Sequence, residues 1–326
     1  MSVKNQVEFN QCQMAMRLLL VVGMIFLVIS CGKRQGQVGV LPEAGGEQVV
    51  PFEVWFPDGR GHHKGSKRPL VLLSHGSGGE YANHSWLISA LSANGFIVAA
   101  LNHPLNTTRN NTDQGVISVW RRPAHISALL DHLLADERWA DLIDQKQIGA
   151  AGFSSGGYTV LALAGAIYKP ELMNAYCAGE GGADCELATD SGDVDFENAS
   201  SSYLDERITS VFAMAPAVGP AITRESLAKI DLPVLIMAAM DDELVNPDLG
   251  AADYAKAIPG AELVMLPSGG HFIFLECNIV TRIVDRFNHE LDLCGTQFNI
   301  DRAATREIVS DRAVSFFKKN ISPDGR

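Results

Sequence analysis

Two adjacent serines between glycines, in the stretch GFSSGG at 152–157, are the residues whose arrangement first indicates chemistry. Ser154 stands between Gly152 and Gly156, each two positions away, which is the G-x-S-x-G pattern. This pattern is typical of a strand that turns sharply into a helix and holds a strained serine at the apex. Ser155 would then begin the helix, with its backbone N–H facing the same space as the Ser154 hydroxyl. The pattern predicts Ser154 as a nucleophile and Ser155 as an oxyanion donor.

A serine hydroxyl attacks a carbonyl only when a base accepts its proton and an acid orients that base. In a strand–turn–helix arrangement of this kind, the acid and then the histidine follow the serine along the chain. His271 comes after the apolar run AELVMLP and a glycine turn. Three acidic residues, 241–243, follow the apolar run PVLIMAAM, and the spacing D-x-x-V-x-P favours Asp242 as the acid. Asp241 is then either a surface neighbour or a group that supports the site.

The other half of an oxyanion hole is expected in the segment SHGSGG, 74–79, which follows the apolar run PLVLL. Its glycines let the backbone approach a bound carbonyl closely, so the N–H groups of Ser77 and Ser155 are the expected donors. The alternative is that this segment is only a turn. No cysteine or histidine set has the spacing of a zinc site. Because this chemistry needs no further group, neither a metal nor a cofactor is expected.

Apolar runs and helical patterns alternate along the chain after residue 50. Most runs are continuously apolar, which is typical of parallel strands covered on both faces. We therefore predict an α/β fold with a mostly parallel, doubly wound sheet, in one domain over 50–320. The predicted strands are 52–56, 69–76, 96–102, 148–153, 210–217, 233–240 and 261–267, and the predicted helices are 86–93, 117–134, 156–167, 249–257 and 301–320.

The segment 168–206 interrupts this alternation with clusters of glycine and aspartate and few apolar residues. Loops longer than about 12 to 15 residues are usually functional or disordered. This one follows the helix after Ser154, which suits an excursion over the face where the site lies. We predict a disulfide-tied lid or cap, and the alternative is a plain surface insertion.

The N-terminus has the features of an export signal. The apolar run Leu18–Ser30 is shorter than the roughly 18 to 20 residues of a membrane-spanning helix and matches a secretory signal. The residues VIS before Cys31 resemble a bacterial lipobox, in which the cysteine becomes lipidated. We therefore predict a lipoprotein signal peptide at 1–31, lipidation of Cys31 and a flexible linker at 32–49. This places the domain on a membrane of the bacterial cell envelope; the alternatives are a secreted protein and an uncleaved anchor.

The four cysteines after the leader are expected to form disulfides, because an exported chain meets an oxidising environment. Four cysteines allow three pairings, and joining the nearest in sequence gives Cys177–Cys185 and Cys277–Cys294. The formal net charge of −12 argues against nucleic acid as a partner, since a phosphate backbone requires a basic surface. The expected partners are a small-molecule or lipid substrate and, through the lipid anchor, a membrane.

Five motifs follow one another along the chain: HGSGG, RRPAHISALLDHLL, IGAAGFSSGGYTVLALAG, PVLIMAAMDDELV and GGHFIFLECN. In this order the chain resembles the predicted dienelactone hydrolases of the α/β-hydrolase superfamily. These are exported bacterial relatives of platelet-activating-factor acetylhydrolase and of the polyester-cleaving cutinases. The resemblance covers about residues 50–320 and implies the α/β-hydrolase fold. The chain departs from it at His125, where relatives often have an aspartate, and no catalytic role is assigned to that position.

The resemblance implies the same site as the residues do, with nucleophile Ser154, acid Asp242, base His271 and oxyanion donors Ser77 and Ser155. True dienelactone hydrolases use a cysteine nucleophile, whereas this chain has a serine. The expected reaction is hydrolysis of a carboxylic ester, such as a lipid or polyester-like ester, through an acyl-enzyme. The alternatives are a thioesterase or peptidase of the same fold, and a catalytically idle lipoprotein that uses its pocket for binding.

Overall fold

The computed structural model places no helix that is both long enough and apolar enough to cross a membrane in the part of the chain that it describes. The predicted signal peptide at 1–31 and the predicted lipidation of Cys31 lie outside the described residues and stay predictions. The described residues are 36–42, 49–57, 67–179, 181–183, 185, 194–277, 279–287 and 292–321.

Eight strands form the central sheet, and two short ones form a hairpin beside it. The strands in the described ranges are β1 (Gln37–Pro42), β2 (Val49–Trp55), β3 (Arg68–Ser74), β4 (Ile97–Leu101), β5 (Asn106–Thr107), β6 (Asn110–Asn111), β7 (Ile143–Phe153), β8 (Ser210–Met214), β9 (Val234–Ala239) and β10 (Glu262–Leu266). The order in the sheet is β1-β2-β4-β3-β7-β8-β9-β10. The pairs β1–β2 and β2–β4 are antiparallel, and all other neighbours in this sheet are parallel. The predicted mostly parallel α/β sheet is confirmed.

Helices cover both faces of this sheet. They are α1 (Ser85–Ala93), α2 (Asp113–Ile117), α3 (Arg122–Ala135), α4 (Glu137–Ala140), α5 (Ser155–Leu163), α6 (Pro170–Ala178), α7 (Arg224–Leu227), α8 (Ala251–Ala257), α9 (Ile279–Phe287) and α10 (Arg302–Ile321). Successive residues of a strand point to opposite faces. In β3, Leu70 and Leu72 pack in the core with α3 and α5, whereas Val71 and Leu73 pack with α1 and α10. Two apolar layers therefore enclose the sheet.

Two predicted helices begin and end elsewhere than expected, each for a local reason. The helix predicted at 117–134 begins at Arg122, because Pro123 occupies the first turn, where its missing N–H costs nothing. A separate 3-10 turn, Val119–Arg121, precedes it. The helix predicted at 156–167 ends at Leu163, since Gly165 adopts a φ of +114°, which is not helical.

The segment predicted as a flexible linker, 32–49, contains an ordered strand, so that prediction is wrong where it is described. Strand β1 pairs antiparallel with β2 from Gln37 opposite Val54 onwards, and β2 itself begins at Val49. Leu41 of β1 is buried, whereas Val38 is 70% exposed, as expected for an edge strand with one covered face. The domain therefore begins before the expected boundary at residue 50.

Both predicted disulfides are present, Cys177–Cys185 and Cys277–Cys294. The first lies within the predicted lid at 168–206, where it joins Cys177 of α6 to Cys185. That segment also packs on the domain elsewhere, because Phe196 stacks on Trp120 with ring centroids 5.1 Å apart. The second disulfide joins the residues that follow His271 to the approach of α10.

Candidate active site

Ser154 lies at the turn between β7 and α5, in a strained backbone conformation with φ 54° and ψ −119°. A non-glycine residue with positive φ is uncommon and often marks a functional site. The flanking glycines allow the turn because neither position has room for a side chain. A Cβ at Gly152 would lie 2.0 Å from the Gly156 carbonyl oxygen, and a Cβ at Gly156 would lie 2.0 Å from the Ser74 carbonyl oxygen. The G-x-S-x-G pattern is thus a consequence of strand and helix packing backbone against backbone.

The side chains of Ser154, His271 and Asp242 form one continuous chain of hydrogen bonds, and all three are buried. His271 Nδ1 lies 2.7 Å from Asp242 Oδ2, and His271 Nε2 lies 3.0 Å from Ser154 Oγ. Because the carboxylate only accepts, the Nδ1 atom carries the proton and Nε2 is free to accept one from the serine. The other carboxylate oxygen, Asp242 Oδ1, accepts the backbone N–H groups of Leu244 at 3.0 Å and Val245 at 2.8 Å. The arrangement can activate a hydroxyl nucleophile.

Asp241 supports the site instead of standing apart on the surface. Its carboxylate accepts the backbone N–H groups of Gly269 at 3.2 Å and Gly270 at 2.9 Å, and the hydroxyl of Ser268 at 2.5 Å. Gly270 precedes His271 and has a φ of +61°, a conformation that favours glycine. The two adjacent aspartates therefore have different roles. Asp242 contacts the imidazole of His271, and Asp241 binds the backbone of the turn that precedes His271.

Arg302, at the start of α10, binds the backbone that follows His271. Its guanidinium donates to the Phe272 carbonyl oxygen at 2.6 Å and to the Leu275 carbonyl oxygen at 3.0 Å. Both acceptors belong to or adjoin the 3-10 turn His271–Phe274. This contact could not be predicted, because an arginine bound to distant carbonyl oxygens leaves no local pattern in the sequence.

The two expected oxyanion donors lie at the same pocket as Ser154. Ser77 and Ser155 both line it. Ser155 is the first residue of α5, and the first four N–H groups of a helix have no partner within the helix. The Ser77 hydroxyl accepts Asn106 Nδ2 at 3.1 Å, which ties this residue to the strand β5. The structure thus brings four of the five predicted site residues to one cavity, and the fifth, Asp242, lies behind His271 and contacts its Nδ1 atom.

The pocket beside Ser154 has a volume of about 360 Å³ and mostly apolar walls. Besides the serines and His271, its polar side chains are those of two asparagines, two threonines and Tyr168. No aspartate, glutamate, lysine or arginine of the described residues lines it. Tyr168 and Met173 of the predicted lid contribute to the wall. The apolar side chains are those of Val116, Ile117, Val119, Phe153, Met173, Ala217, Val218, Leu244, Val245, Phe272, Leu275 and Leu293.

A cluster of three histidines was not predicted as part of the site: His75, which belongs to the segment 74–79, and His103 are buried, and His125 is partly buried. His103 Nε2 lies 2.8 Å from Ser74 Oγ, and His103 Nδ1 lies 3.2 Å from His125 Nδ1. His75 Nε2 accepts the backbone N–H of His103 at 3.0 Å. Burial, assisted by the positive charge of Arg122, lowers the pKa of His125 to about 4 and holds the pKa values of His75 and His103 well below their usual range. At neutral pH all three are uncharged.

This histidine cluster predicts that the fold loses stability in mild acid. An exposed histidine in the unfolded chain titrates near pH 6.5, so below that pH the unfolded chain binds more protons than the folded one. The stability that these histidines contribute is therefore fully present above about pH 6.5. As the pH falls towards its folded pKa, each such histidine lowers the free energy of unfolding by up to about 1.4 kcal/mol per pH unit. Thermal unfolding between pH 4.5 and 7.5 measures this slope.

The matched variants for that measurement lie on one helix, α3. His125→Gln should flatten the dependence of the melting temperature on pH, because it removes one of the groups whose pKa is lowered. His132→Gln is the control, since His132 lies outside the cluster and its ring packs against Phe52 with ring centroids 5.2 Å apart. An equal pH slope in wild type and His125→Gln would contradict the prediction.

In the described residues, no group of three or more histidine, cysteine, aspartate or glutamate side chains is arranged to hold a metal ion.

Comparison with known families gives a match to the model of the prolyl oligopeptidase family, over residues 126–293. This range covers about half of the chain and includes Ser154, Asp242 and His271. No curated protein matches the chain. The match agrees with the predicted superfamily, and the finer resemblance to dienelactone hydrolases stays a prediction.

Proposed function

The chain belongs to the prolyl oligopeptidase family, whose members are serine hydrolases of the α/β-hydrolase fold, and from this premise we propose that it hydrolyses carboxylic esters with an apolar acyl group. The observation that carries the proposal is the uncharged pocket beside Ser154. A charged substrate group would lose its hydration there without gaining an ionic partner, which is costly. An acyl chain, in contrast, gains about 0.8 kcal/mol for each CH₂ that it buries. Lipid or polyester-like esters are the proposed substrate classes.

The proposed reaction uses the hydrogen-bonded side chains in two halves. Ser154 Oγ attacks the ester carbonyl carbon while His271 Nε2 takes the serine proton, and the N–H groups of Ser77 and Ser155 bind the resulting oxyanion. His271 then gives the proton to the alcohol oxygen, the carbon–oxygen bond breaks and the acyl-enzyme remains. Water repeats the sequence with His271 as base and releases the carboxylic acid. Asp242 stabilises the imidazolium in both halves.

A second candidate function is peptide hydrolysis, which the family match favours by name. The same atoms can cleave a peptide bond or a thioester, so the side chains alone do not separate the activities. The pocket favours the ester, because among the described residues it offers no charged side chain to recognise a peptide terminus. The idle binding lipoprotein is disfavoured, since a strained Ser154 and a complete chain of hydrogen bonds would serve no purpose in it.

A substrate panel tests the proposal. It consists of p-nitrophenyl esters from acetate to dodecanoate, a neutral peptide p-nitroanilide, an acyl thioester, a phospholipid and a polyester film. We expect kcat/KM to rise by up to about fourfold per CH₂ until the pocket is full and then to level off. The Ser154→Ala protein is the control for background hydrolysis. A peptide anilide cleaved faster than every ester would overturn the ester proposal in favour of the peptidase.

A further inference from the structure

Arg122, the first residue of α3, is buried with 1% of its surface exposed, although it is an arginine. Its guanidinium donates from Nη1 to the His75 carbonyl oxygen at 2.6 Å, and from Nη2 to the Gly76 carbonyl oxygen at 3.2 Å and to Asn106 Oδ1 at 2.9 Å. All three acceptors are neutral. No carboxylate among the described residues forms an ion pair with it. A buried charge normally has an ionic partner, so this one calls for a reason.

The surroundings leave the charge of Arg122 uncompensated. Burial lowers the pKa of Arg122 to about 9, which keeps the guanidinium protonated at neutral pH. The nearest titratable neighbours, His75, His103 and His125, are uncharged at that pH, as derived above. A positive charge in a water-poor interior acts over a longer range than one in solvent. The guanidinium lies directly against the backbone of the segment 74–79, because it contacts the carbonyl oxygens of His75 and Gly76.

The acceptors of Arg122 define the orientation of the oxyanion segment. The Gly76 carbonyl oxygen accepts three donors: His75 Nδ1 at 2.7 Å, Arg122 Nη2 at 3.2 Å and the Gly79 backbone N–H at 3.2 Å. This carbonyl belongs to the peptide group that ends in the N–H of Ser77. In a trans peptide the C=O and the N–H point in opposite directions. Holding the carbonyl against the buried guanidinium therefore turns the Ser77 N–H away from it, towards the pocket.

We propose that Arg122 is a positioning residue of the oxyanion hole, whose unpaired charge fixes the Gly76–Ser77 peptide and stabilises negative charge that forms on the substrate carbonyl. The contact of Asn106 with the Ser77 hydroxyl extends the same support by one residue. Because the charge acts on an oxyanion, its effect is larger in the transition state than in the bound substrate. The proposal rests on acylation of Ser154, the first half of the proposed function.

Three variants test the charge separately from the packing. Arg122→Gln removes the charge, Arg122→Lys retains it with fewer donors, and Asn106→Asp places a carboxylate 2.9 Å from the guanidinium and neutralises the charge with Arg122 in place. Arg207→Gln is the control for loss of an arginine, because Arg207 is partly exposed and its charge is paired with Asp131 and Asp205. The readouts are the rate of Ser154 labelling by a fluorophosphonate, kcat and KM for an ester, and the melting temperature.

We expect Arg122→Gln to lower the labelling rate and kcat by about 10- to 100-fold, somewhat less than loss of a direct oxyanion donor, with KM changed by less than about threefold. Arg122→Lys should retain more of both rates. Asn106→Asp should lower both rates by about tenfold or more relative to the control Asn106→Ala, because Asn106→Ala loses the same hydrogen bonds to Ser77 Oγ and Asn111 Oδ1 but leaves the charge of Arg122 unpaired. Arg207→Gln should label as wild type.

A purely structural role for Arg122 predicts instead that Asn106→Asp and Asn106→Ala react at the same rate. That result, or wild-type labelling of a folded Arg122→Gln protein, would overturn the proposal. If Arg122→Gln does not fold, the comparison of Asn106→Asp with Asn106→Ala still decides. Labelling of wild type without turnover of any ester would refute the proposed substrate class alone, because the labelling comparison stays valid for any serine hydrolase.

Discussion

Replacing Ser154 with alanine lowers ester turnover by about 10⁵- to 10⁶-fold, the scale found when a serine hydrolase loses its nucleophile. The Ser154 hydroxyl lies 3.0 Å from His271 Nε2 and is the atom on which the acyl group would be carried. Alanine leaves the oxyanion donors and the pocket in place, so the residual rate reports their contribution alone. The measurement is kcat for the best ester of the panel, with the melting temperature as a check on folding.

Ser155→Ala is the matched control for this experiment. The proposed contribution of Ser155 is its backbone N–H at the start of α5, which alanine also provides. This variant should retain turnover within about threefold of wild type, since one backbone donor is preserved and the nucleophile is untouched. A fluorophosphonate should label wild type and Ser155→Ala at Ser154 and should leave Ser154→Ala unlabelled. Labelling of the Ser154→Ala protein at Ser155 would show that Ser155, and not Ser154, is the nucleophile.

The central strands could be predicted from the sequence because burial on both faces produces a simple sequence pattern. Runs such as PLVLL and PVLIMAAM are apolar at every position, as parallel strands between two helical layers must be. Strand β1 was missed for the opposite reason. It is a half-exposed edge strand with a glycine at position 39, and its only described strand partner is β2. A short sequence of this kind between polar residues resembles a linker. It is a strand because it pairs with β2, and its amino-acid composition does not indicate this.

The nucleophile, the acid and the base could likewise be predicted, because each follows a strand end with a local pattern. Of the groups that hold them, the sequence indicates Asp241 as one of two alternatives and gives no sign of Arg302 or Arg122. Asp241 contacts the turn before His271, Arg302 contacts the carbonyl oxygens after it, and Arg122 contacts the segment of Ser77. Each of these contacts joins a side chain to the backbone of a segment that is distant in sequence or specified only by the fold. Backbone acceptors are the same at every residue, so sequence carries no sign of which one a guanidinium will reach.

Replacing Asp242 with asparagine should lower kcat by about 10⁴-fold, the loss known for the equivalent change in a serine protease triad. The contacts of Asp242 explain why the nearly isosteric amide fails. Its Oδ1 atom accepts the N–H groups of Leu244 and Val245, so the amide oxygen must occupy that position. The amide NH₂ then faces His271 Nδ1 and donates to it. The imidazole proton is displaced to Nε2, where it blocks transfer of the proton from Ser154.

Asp241→Asn is the control with the same chemical change one residue earlier. The amide oxygen can still accept one of the two glycine N–H groups before His271, so the turn weakens while the imidazole keeps its Nδ1 proton and its partner. We expect a loss of about tenfold or less in kcat, since hydrogen bonds to backbone contribute about 1 kcal/mol each. Measuring kcat for both variants on one ester separates the two aspartates. Equal losses, or a larger loss for Asp241→Asn, would mean that the turn and not the imidazole partner limits the reaction, and the role of the acid would move by one residue.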